Sequence, residues 1–228
     1  MLTINNLSLS YGKKNVLSDL SLNLDSGRIH GIVGYNGAGK TTLLNAIYGL
    51  PHRHKEIGFH GEILCRKKIA YLDAEPFFYS NITGRDYLGI FQANNSGFDY
   101  EGLCALFNVP IDKYIDSYST GMKKKLAIIG VLSMEKEIIL LDEPFNGLDL
   151  ESVAALQMAL KKLAAKGKTI IVTSHIMESL TPICDTILHL QNQDIHKTYL
   201  PDEYEELTRQ IKNHIESKYN DSLDRIFK

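Results

Sequence analysis

The clearest candidate for chemistry in this sequence is a glycine-rich segment that ends in lysine and threonine. It consists of Gly34, Tyr35, Asn36, Gly37, Ala38, Gly39, Lys40, Thr41 and Thr42. The segment fits the pattern GxxxxGK[ST], in which glycines let successive backbone N–H groups face phosphate oxygens. Lys40 can reach the β- and γ-phosphates of a nucleoside triphosphate, and the Thr41 hydroxyl can ligate Mg²⁺. Because an apolar run precedes the segment and a helical pattern follows it, we predict a phosphate-binding loop.

Two acidic residues directly follow a second apolar run. Residues 138–141 are all isoleucine or leucine and predict a buried strand, and Asp142 and Glu143 come next. Ligand sites of α/β folds form at the carboxyl ends of such strands. Asp142 is suited to hold Mg²⁺ through water, and Glu143 is suited to polarise a water that attacks phosphate. Two acids at a strand end are a weak signal alone, but with the phosphate-binding loop they indicate nucleotide hydrolysis.

A third candidate is a cap-like cluster at the start of a predicted helix, formed by Ser119, Thr120 and Gly121. Because the first N–H groups of a helix are free, this helix start predicts another anion-binding position. The lysines at 123–125 leave a second interpretation open, namely an ordinary helix cap followed by a solvated lysine face.

In this order, the phosphate-binding loop, the Ser-Thr-Gly helix start, the acidic strand end and a following histidine resemble an ABC-family ATPase. More narrowly, they resemble the separate nucleotide-binding subunit of an ABC transporter, over most of the chain. The resemblance implies ATP as the nucleotide and Mg²⁺ as the metal. It also implies that Tyr11 stacks on adenine, that Asp149 lies in a loop that crosses a dimer interface, and that His175 contacts the γ-phosphate. For Tyr11 and His175, only the place in the motif order supports these roles.

The same resemblance implies a head-to-tail pair of subunits with two ATP molecules between them. Ser119 and Gly121 of one subunit, with Thr120 between them, would contact the γ-phosphate bound by residues 34–42 of the other. The second subunit could be an identical copy or a related ATPase. The other implied partners are integral membrane transporter subunits.

Two positions depart from the family pattern. Where family members carry glutamine after a Tyr-Leu-Pro run, this chain has Ala74, which cannot ligate a metal. We therefore expect Glu75, or its neighbour Asp73, to take over the contact with Mg²⁺ or water. Thr120 stands where glycine is common, and its bulk alters the approach of phosphate. Since the lysine, the acid pair and the histidine are all present, we expect an active ATPase.

The elements around these residues alternate between strands and helices, which predicts an α/β fold. We expect a P-loop NTPase core with a mostly parallel sheet, an N-terminal antiparallel β part and a helical subdomain. The expected domains are an ABC ATPase domain over 1–200, with the helical subdomain inserted at about 76–133, and an amphipathic helix over 201–228. Other predictions are a loop at 51–61, a break at 94–97, helices at 150–165 and 176–183, and a last core strand at 186–190.

Five aromatic residues in the middle region have two possible roles. They could form the core of the helical subdomain, or they could mark a surface that receives a membrane partner. These residues are Phe77, Phe78, Tyr79, Tyr87 and Phe91.

The composition narrows the class of protein. The chain has 228 residues, with 25 Lys+Arg and 27 Asp+Glu, and 44% of its residues are hydrophobic. This balance of charge and hydrophobicity argues against a disordered chain and against a protein that coats nucleic acid, so no nucleic-acid partner is expected.

Three scattered cysteines indicate a reducing compartment. No apolar stretch approaches the ~20 residues of a spanning helix, and the first residues lack signal-peptide features. We therefore expect a cytoplasmic protein that reaches the inner face of the cell membrane through a partner.

Three functions compete on this basis. The first is the energy-coupling subunit of a membrane transporter, and segments 83–88 and 174–178 are similar to exporter-type subunits. The second is a soluble ABC ATPase that acts in DNA repair or on ribosomes, although such relatives carry two ATP modules or a long coiled coil. The third is a P-loop kinase or GTPase. A GTPase is expected to carry an Asn-Lys-x-Asp motif, which is absent, and neither class has a role for the Ser-Thr-Gly helix start or for His175.

Overall fold

The computed structural model describes residues 1–49, 57–92 and 97–227, apart from the side chains of residues 92 and 221–224. The strands are β1 (Leu2–Tyr11), β2 (Lys14–Leu24), β3 (Ile29–Val33), β4 (Ile57–Leu64), β5 (Ile69–Leu72), β6 (Ile138–Leu141), β7 (Thr169–Ser174), β8 (Thr186–Gln191) and β9 (Asp194–Tyr199). The α-helices are α1 (Lys40–Tyr48), α2 (Gly84–Gln92), α3 (Tyr100–Leu106), α4 (Thr120–Ser133), α5 (Leu150–Ala165), α6 (Met177–Leu180) and α7 (Tyr204–Ile226).

The central sheet has the strand order β5-β6-β7-β3-β8-β9. Its strands run parallel, except that β9 pairs antiparallel with β8. Every residue of β3, β6 and β7 is buried, as expected of parallel strands that are covered on both faces. Because these three strands are neighbours, the segments that follow them meet at one edge of the sheet. These segments are the phosphate-binding loop, the acid pair and the stretch that contains His175.

A second sheet is antiparallel and has the order β2-β1-β4. Alternate residues of β1, such as Leu7 and Leu9, are buried and belong to the same apolar cluster as Leu43 of α1. The predicted α/β class with an N-terminal antiparallel part is thus confirmed. One local prediction was wrong: residues 57–61 are not loop but belong to β4, in which residues 57–60 pair with β1. The remainder of that predicted loop, 51–56, lies outside the described residues.

The helices α2 and α3 both pack against α4. Phe91 of α2 lies so close to α4 that a Cβ at Gly130 would come within 2.9 Å of the phenyl ring. The Tyr87 ring contacts Phe91 and Phe78 at centroid distances of 5.0 and 4.9 Å. These three aromatic residues therefore contribute to the packing of the helical region.

The other two candidate aromatic residues lie on the surface. Phe77 is 75% exposed and Tyr79 is 63% exposed, and their rings meet edge to face at 5.2 Å. Residues 94–96 of the predicted break lie outside the described residues. The boundaries of the helical subdomain stay a prediction.

Near the carboxyl end, one helix was predicted too long and one strand was not predicted. The helix expected at 176–183 is only the short α6, which ends before Pro182, a residue without an N–H to donate. The strand at β8 is not the last one, because β9 follows it through a tight turn. Asn192 and Gln193 in that turn both have positive φ angles, of 51° and 74°. Two-residue hairpin turns use this conformation, but glycine usually signals it in a sequence.

Helix α7 begins against the core and then leaves it. Tyr204 and Leu207 are buried, and the Tyr204 hydroxyl donates to the carbonyl oxygen of Cys184 at 3.0 Å. Further along, Ile215 and Tyr219 are 41% and 51% exposed. None of the described helices combines the length and the apolar character needed to span a bilayer.

Candidate functional site

The phosphate-binding loop connects β3 to α1, where the sequence predicted it. Gly39 caps α1 with a φ of 108°, a conformation that residues with a Cβ rarely adopt. A Cβ at Gly34 would lie 2.5 Å from the backbone oxygen of Leu190, so a side chain does not fit there. The loop therefore places the free N–H groups of the α1 start at the carboxyl edge of the central sheet, where they favour an anion.

Glu143 lies between Lys40 and His175. Its Oε1 is 3.3 Å from Lys40 Nζ, and its Oε2 is 3.0 Å from His175 Nδ1. Lys40 also donates to the carbonyl oxygen of Gly34 at 2.8 Å. The Lys40 and Glu143 side chains are only 7% and 12% exposed, whereas His175 is 40% exposed. The three side chains that the sequence assigned to phosphate binding and catalysis thus meet beside the loop.

Asp142 is fully buried, and both its carboxylate oxygens accept hydrogen bonds from hydroxyl groups. Thr41 Oγ1 donates at 2.6 Å and Thr173 Oγ1 donates at 2.5 Å. Magnesium prefers oxygen ligands and usually takes few of them from the protein, with phosphate and water completing its shell. The paired hydroxyl of Thr41 and carboxylate of Asp142 fit such an ion.

Thr173 is a site residue that sequence reasoning did not identify. Besides its bond to Asp142, its hydroxyl oxygen accepts the N–H of Glu143 at 2.9 Å. Glu143 has a φ of 45°, which is an uncommon conformation for a residue other than glycine. Thr173 therefore helps to fix both acids of the pair. The available signal was a polar residue inside the buried strand β7, two positions before His175.

A cleft of about 340 Å³ opens over the phosphate-binding loop. Its lining residues are Lys14, Val16, Asn36, Gly37, Gly39, Lys40, Thr41, Thr42 and Glu143. Lys14 and Val16, both from β2, were not predicted as site residues. Tyr11 is not part of this lining; it is 43% exposed at the end of β1, and its role toward adenine stays a prediction.

Tyr35 points away from the cleft toward α7. Its hydroxyl donates to the carbonyl oxygen of Ile211 at 3.4 Å, and its ring lies 5.2 Å from that of His214. The N–H of Ala38 donates to the Tyr35 carbonyl at 3.0 Å. These two loop residues therefore shape the loop and connect it to α7, and neither lines the cleft.

The Ser-Thr-Gly cluster caps α4, as expected. The Ser119 hydroxyl accepts the N–H of Met122 at 3.2 Å, and a Cβ at Gly121 would lie 2.7 Å from the carbonyl oxygen of Gly147. Within the described part of the chain, no hydrogen bond joins Ser119, Thr120 or Gly121 to residues 34–42. The cluster and the loop therefore do not meet within one subunit.

The solvated lysine face that remained as an alternative for α4 is wrong for two of its three lysines. Lys124 and Lys125 are only 5% and 9% exposed, and both ammonium groups bond to other segments of the chain. Lys125 Nζ lies 2.7 Å from Asp149 Oδ2, and Asp149 also accepts the N–H of Ser152 at 2.8 Å as the cap of α5. The hydrogen bond from Lys125, followed by those from Ser152, holds the pKa of Asp149 well below its usual range.

The segment expected to supply an extra metal ligand is exposed. The Asp73 carboxylate accepts the N–H of Glu75 at 3.2 Å, and both side chains face solvent. In the described ranges, no hydrogen bond or ion pair connects either carboxylate with Thr41 or Asp142. The metal role of Glu75 stays a prediction.

A second cavity, of about 180 Å³, lies between the phosphate-binding loop and α7. His189 of β8 lines it and is 5% exposed. Within the described chain, neither of its ring nitrogens has a hydrogen-bond partner. Burial lowers the pKa of His189, and the nearby His196 and His214 lower it further. The folded protein therefore resists protonation of this ring.

Acidification should destabilise the fold through His189. The unfolded chain takes up this proton near the ordinary pKa of about 6.5, whereas the folded chain takes it up only at lower pH. The free energy of unfolding should therefore be highest above that value and fall as the pH drops, by up to about 1.4 kcal/mol per pH unit for one proton. Urea unfolding at several pH values measures this slope. His189→Gln should flatten it, while His60→Gln, at an exposed position, should not; an unchanged slope in His189→Gln would contradict the assignment.

The central sheet is mostly parallel, and a GxxxxGK[ST] loop lies at its carboxyl edge. A buried aspartate is hydrogen-bonded to the threonine of that loop. These features define a P-loop nucleotide hydrolase. A family model described as ABC transporter matches residues 17–146. The lantibiotic transport ATP-binding protein SrtF of Streptococcus pyogenes is 32% identical over 196 residues, which cover 82% of this chain and 85% of SrtF. The bacitracin transport ATP-binding protein BcrA of Enterococcus faecalis is 32% identical over 199 residues, which cover 80% of this chain and 63% of BcrA. The chain therefore belongs to the ABC transporter family.

A solved structure agrees with this placement. The structure of an ATP-binding subunit of an ABC transporter superposes with a TM-score of 0.79 at 27% sequence identity, and the match covers 93% of both chains. The predicted fold and the predicted class, an ABC-family ATPase, are confirmed at the level of the family.

Proposed function

We propose that this chain is the ATP-binding and ATP-hydrolysing subunit of an ABC transporter, and that it couples ATP-driven closure of a dimer to substrate movement by separate membrane subunits. The observation that carries the proposal is the position of Glu143. Its two carboxylate oxygens face Lys40 and His175, next to the bonded pair of Thr41 and Asp142.

Each site residue then has one role toward the nucleotide. The free N–H groups of the loop at 34–42 and the Lys40 ammonium bind the phosphates, and Tyr11 stacks on adenine. Glu143 accepts the proton of the attacking water, and His175 contacts the γ-phosphate.

Mg²⁺, when bound, would neutralise charge that develops on the phosphate oxygens. Thr41 and Asp142 would hold it, and Glu75 is the proposed additional ligand. The Asp142 carboxylate is buried, and the hydroxyl groups of Thr41 and Thr173 hold it in a fixed orientation beside the loop.

A complete site takes a second subunit in this proposal. The α4 start at Ser119 lies apart from the phosphate-binding loop of its own chain, and Asp149 stands beside that start through its ion pair with Lys125. In a head-to-tail pair, Ser119 and Gly121 of one subunit contact the γ-phosphate held by the other. Because ATP makes all of these contacts only in the closed dimer, ATP binding favours association of the two subunits. The second subunit is an identical copy or a related ATPase.

The membrane partner docks on the helical region. Phe77 and Tyr79 form an exposed aromatic pair there, and aromatic residues are enriched in interfaces. This contact holds the protein at the cytoplasmic face of the membrane. The exporter direction is part of the proposal, and lantibiotics and bacitracin are the first substrates to test because they are the compounds for which SrtF and BcrA are named.

Affinity purification from detergent-solubilised membranes tests this function. The wild-type protein should hydrolyse ATP and bring down an integral membrane protein. Changing both Phe77 and Tyr79 to serine should reduce that recovery and leave the ATPase rate of the isolated subunit unchanged. Tyr219→Ser, at another exposed aromatic position, serves as the matched control. Recovery of ribosomes or DNA instead of a membrane protein would contradict the transporter proposal and favour the soluble ATPase.

A further inference from the structure

Lys124 occupies an unusual position for a lysine. Its side chain leaves α4 toward the central sheet and is almost fully buried, with 5% of its surface exposed. The ammonium group lies 2.8 Å from the carbonyl oxygen of Ala74, 3.3 Å from that of Asp73 and 3.4 Å from that of Asp142. A lysine ammonium has three N–H donors and no acceptor, so three backbone carbonyls match its hydrogen-bonding capacity.

The surroundings explain why a buried cation is tolerated at this point. Burial lowers the pKa of Lys124, while the nearby carboxylates of Asp142, Asp73, Glu143 and Glu75 act in the opposite direction and favour its charged form. Removing a charge from water is costly unless partners compensate it. The three carbonyl oxygens and the negative charge of the nearby carboxylates provide that compensation.

The three carbonyls belong to two segments that the proposed mechanism uses. Asp73 and Ala74 directly follow β5, and Asp142 directly follows β6, at the acid pair. Lys124 itself lies in the helix that begins at the Ser119 cap. One side chain therefore connects the segment after β5, the acid pair and the helix whose start is to contact phosphate in the second subunit.

The residue at position 74 bears on how this connection is made. At position 74, alanine stands where the family pattern has a glutamine, so no long side chain at that position can bridge to the rest of the site. The connection runs instead from the Lys124 side chain to the backbone of the segment. The neighbouring lysines differ: Lys125 pairs with Asp149, and Lys123 is partly exposed and has no ion pair in the described part of the chain.

We propose that Lys124 is a positioning residue for ATP hydrolysis, which fixes the 73–74 segment and the acid pair against α4 so that the three move as one unit. The inference rests on the proposed function, because that function assigns the start of α4 and the acid pair to the same reaction. Lys124 does not contact the nucleotide, and its effect is transmitted through the backbone that it holds.

Lys124→Met tests the proposal because it keeps most of the side-chain length but removes the charge and the three donors. Misplacement of a catalytic group by about 1 Å can cost a hundredfold in rate. We therefore expect kcat for ATP to fall at least about tenfold, with nucleotide affinity of the isolated subunit changed by less than about twofold. Hydrogen exchange at the amides of residues 73–75 should become faster in this variant. Lys124→Arg, which keeps charge and donors, should recover most of the lost rate and slow that exchange again.

Lys123→Met is the matched control, since it makes the same change one residue earlier in the same helix and should leave both readouts unchanged. If Lys124→Met does not fold, Lys124→Gln, whose amide still donates two hydrogen bonds, takes its place with an intermediate loss expected. Wild-type kcat in the methionine variant would overturn the proposal, and so would a loss confined to nucleotide affinity. A wild-type protein that does not hydrolyse ATP would instead overturn the proposed function, so the two failures are distinguishable.

Discussion

Replacing Glu143 with glutamine should lower the ATP turnover number of the purified protein by about 10²- to 10⁴-fold, the usual contribution of a positioned general base. The amide has the same shape as the carboxylate and can still face Lys40 and His175, which lie 3.3 and 3.0 Å from the Glu143 oxygens. The amide cannot accept a proton from water. Nucleotide should therefore remain bound without being cleaved, and phosphate release measures the loss.

The same variant tests the dimer. Because uncleaved ATP would remain between two subunits, Glu143→Gln with ATP should elute from a size-exclusion column as a dimer, and with ADP as a monomer. Glu178→Gln is the control, because it makes the same chemical change at an exposed position in the short helix α6. Turnover at the wild-type rate would refute the role of Glu143 as the base. A protein that binds ATP and stays monomeric would refute the shared site.

Replacing Lys40 with methionine should weaken ATP binding by about ten- to a hundredfold, because hydrogen bonds to charged groups contribute about 1.5–3 kcal/mol. Lys40 is the cation of the phosphate-binding loop and is 7% exposed, so solvent screens it little. The substitution also removes the ammonium group that lies 3.3 Å from the Glu143 carboxylate, a side chain that is only 12% exposed. Titration with a fluorescent ATP analogue measures the affinity, and hydrolysis should fall with it.

The control for this prediction separates a local effect from a change in total charge. Lys13→Met makes the same substitution in the exposed turn before β2 and should leave ATP affinity unchanged. Urea unfolding of both variants shows whether the fold persists. Full ATP affinity in a folded Lys40→Met protein would refute the assignment of this lysine to phosphate binding.

Contiguous stretches of the sequence were sufficient to predict several features. The loop at 34–42 carries its glycines, lysine and threonine in one run, and its conformation depends mostly on those residues. The strand at 138–141 and the helix at 150–165 were predicted with the bounds that the structure has, because unbroken apolar runs and helical periodicity are local signals. The same runs place Asp142 and Glu143 at a strand end, which is why the acid pair could be assigned to the site.

Contacts between distant segments decided the rest. No pattern in the run of lysines at 123–125 distinguishes Lys124, whose partners are carbonyls of residues 73, 74 and 142, from the partly exposed Lys123. Thr173 became a site residue only when β7 came to lie beside β6, and Tyr35 was turned from the cleft by α7. The sequence by itself determined which residues could bind phosphate and metal, since their chemistry and spacing are local. The tertiary structure alone decided which charged side chains are buried and which groups they bond to, because burial depends on the elements that pack around a side chain.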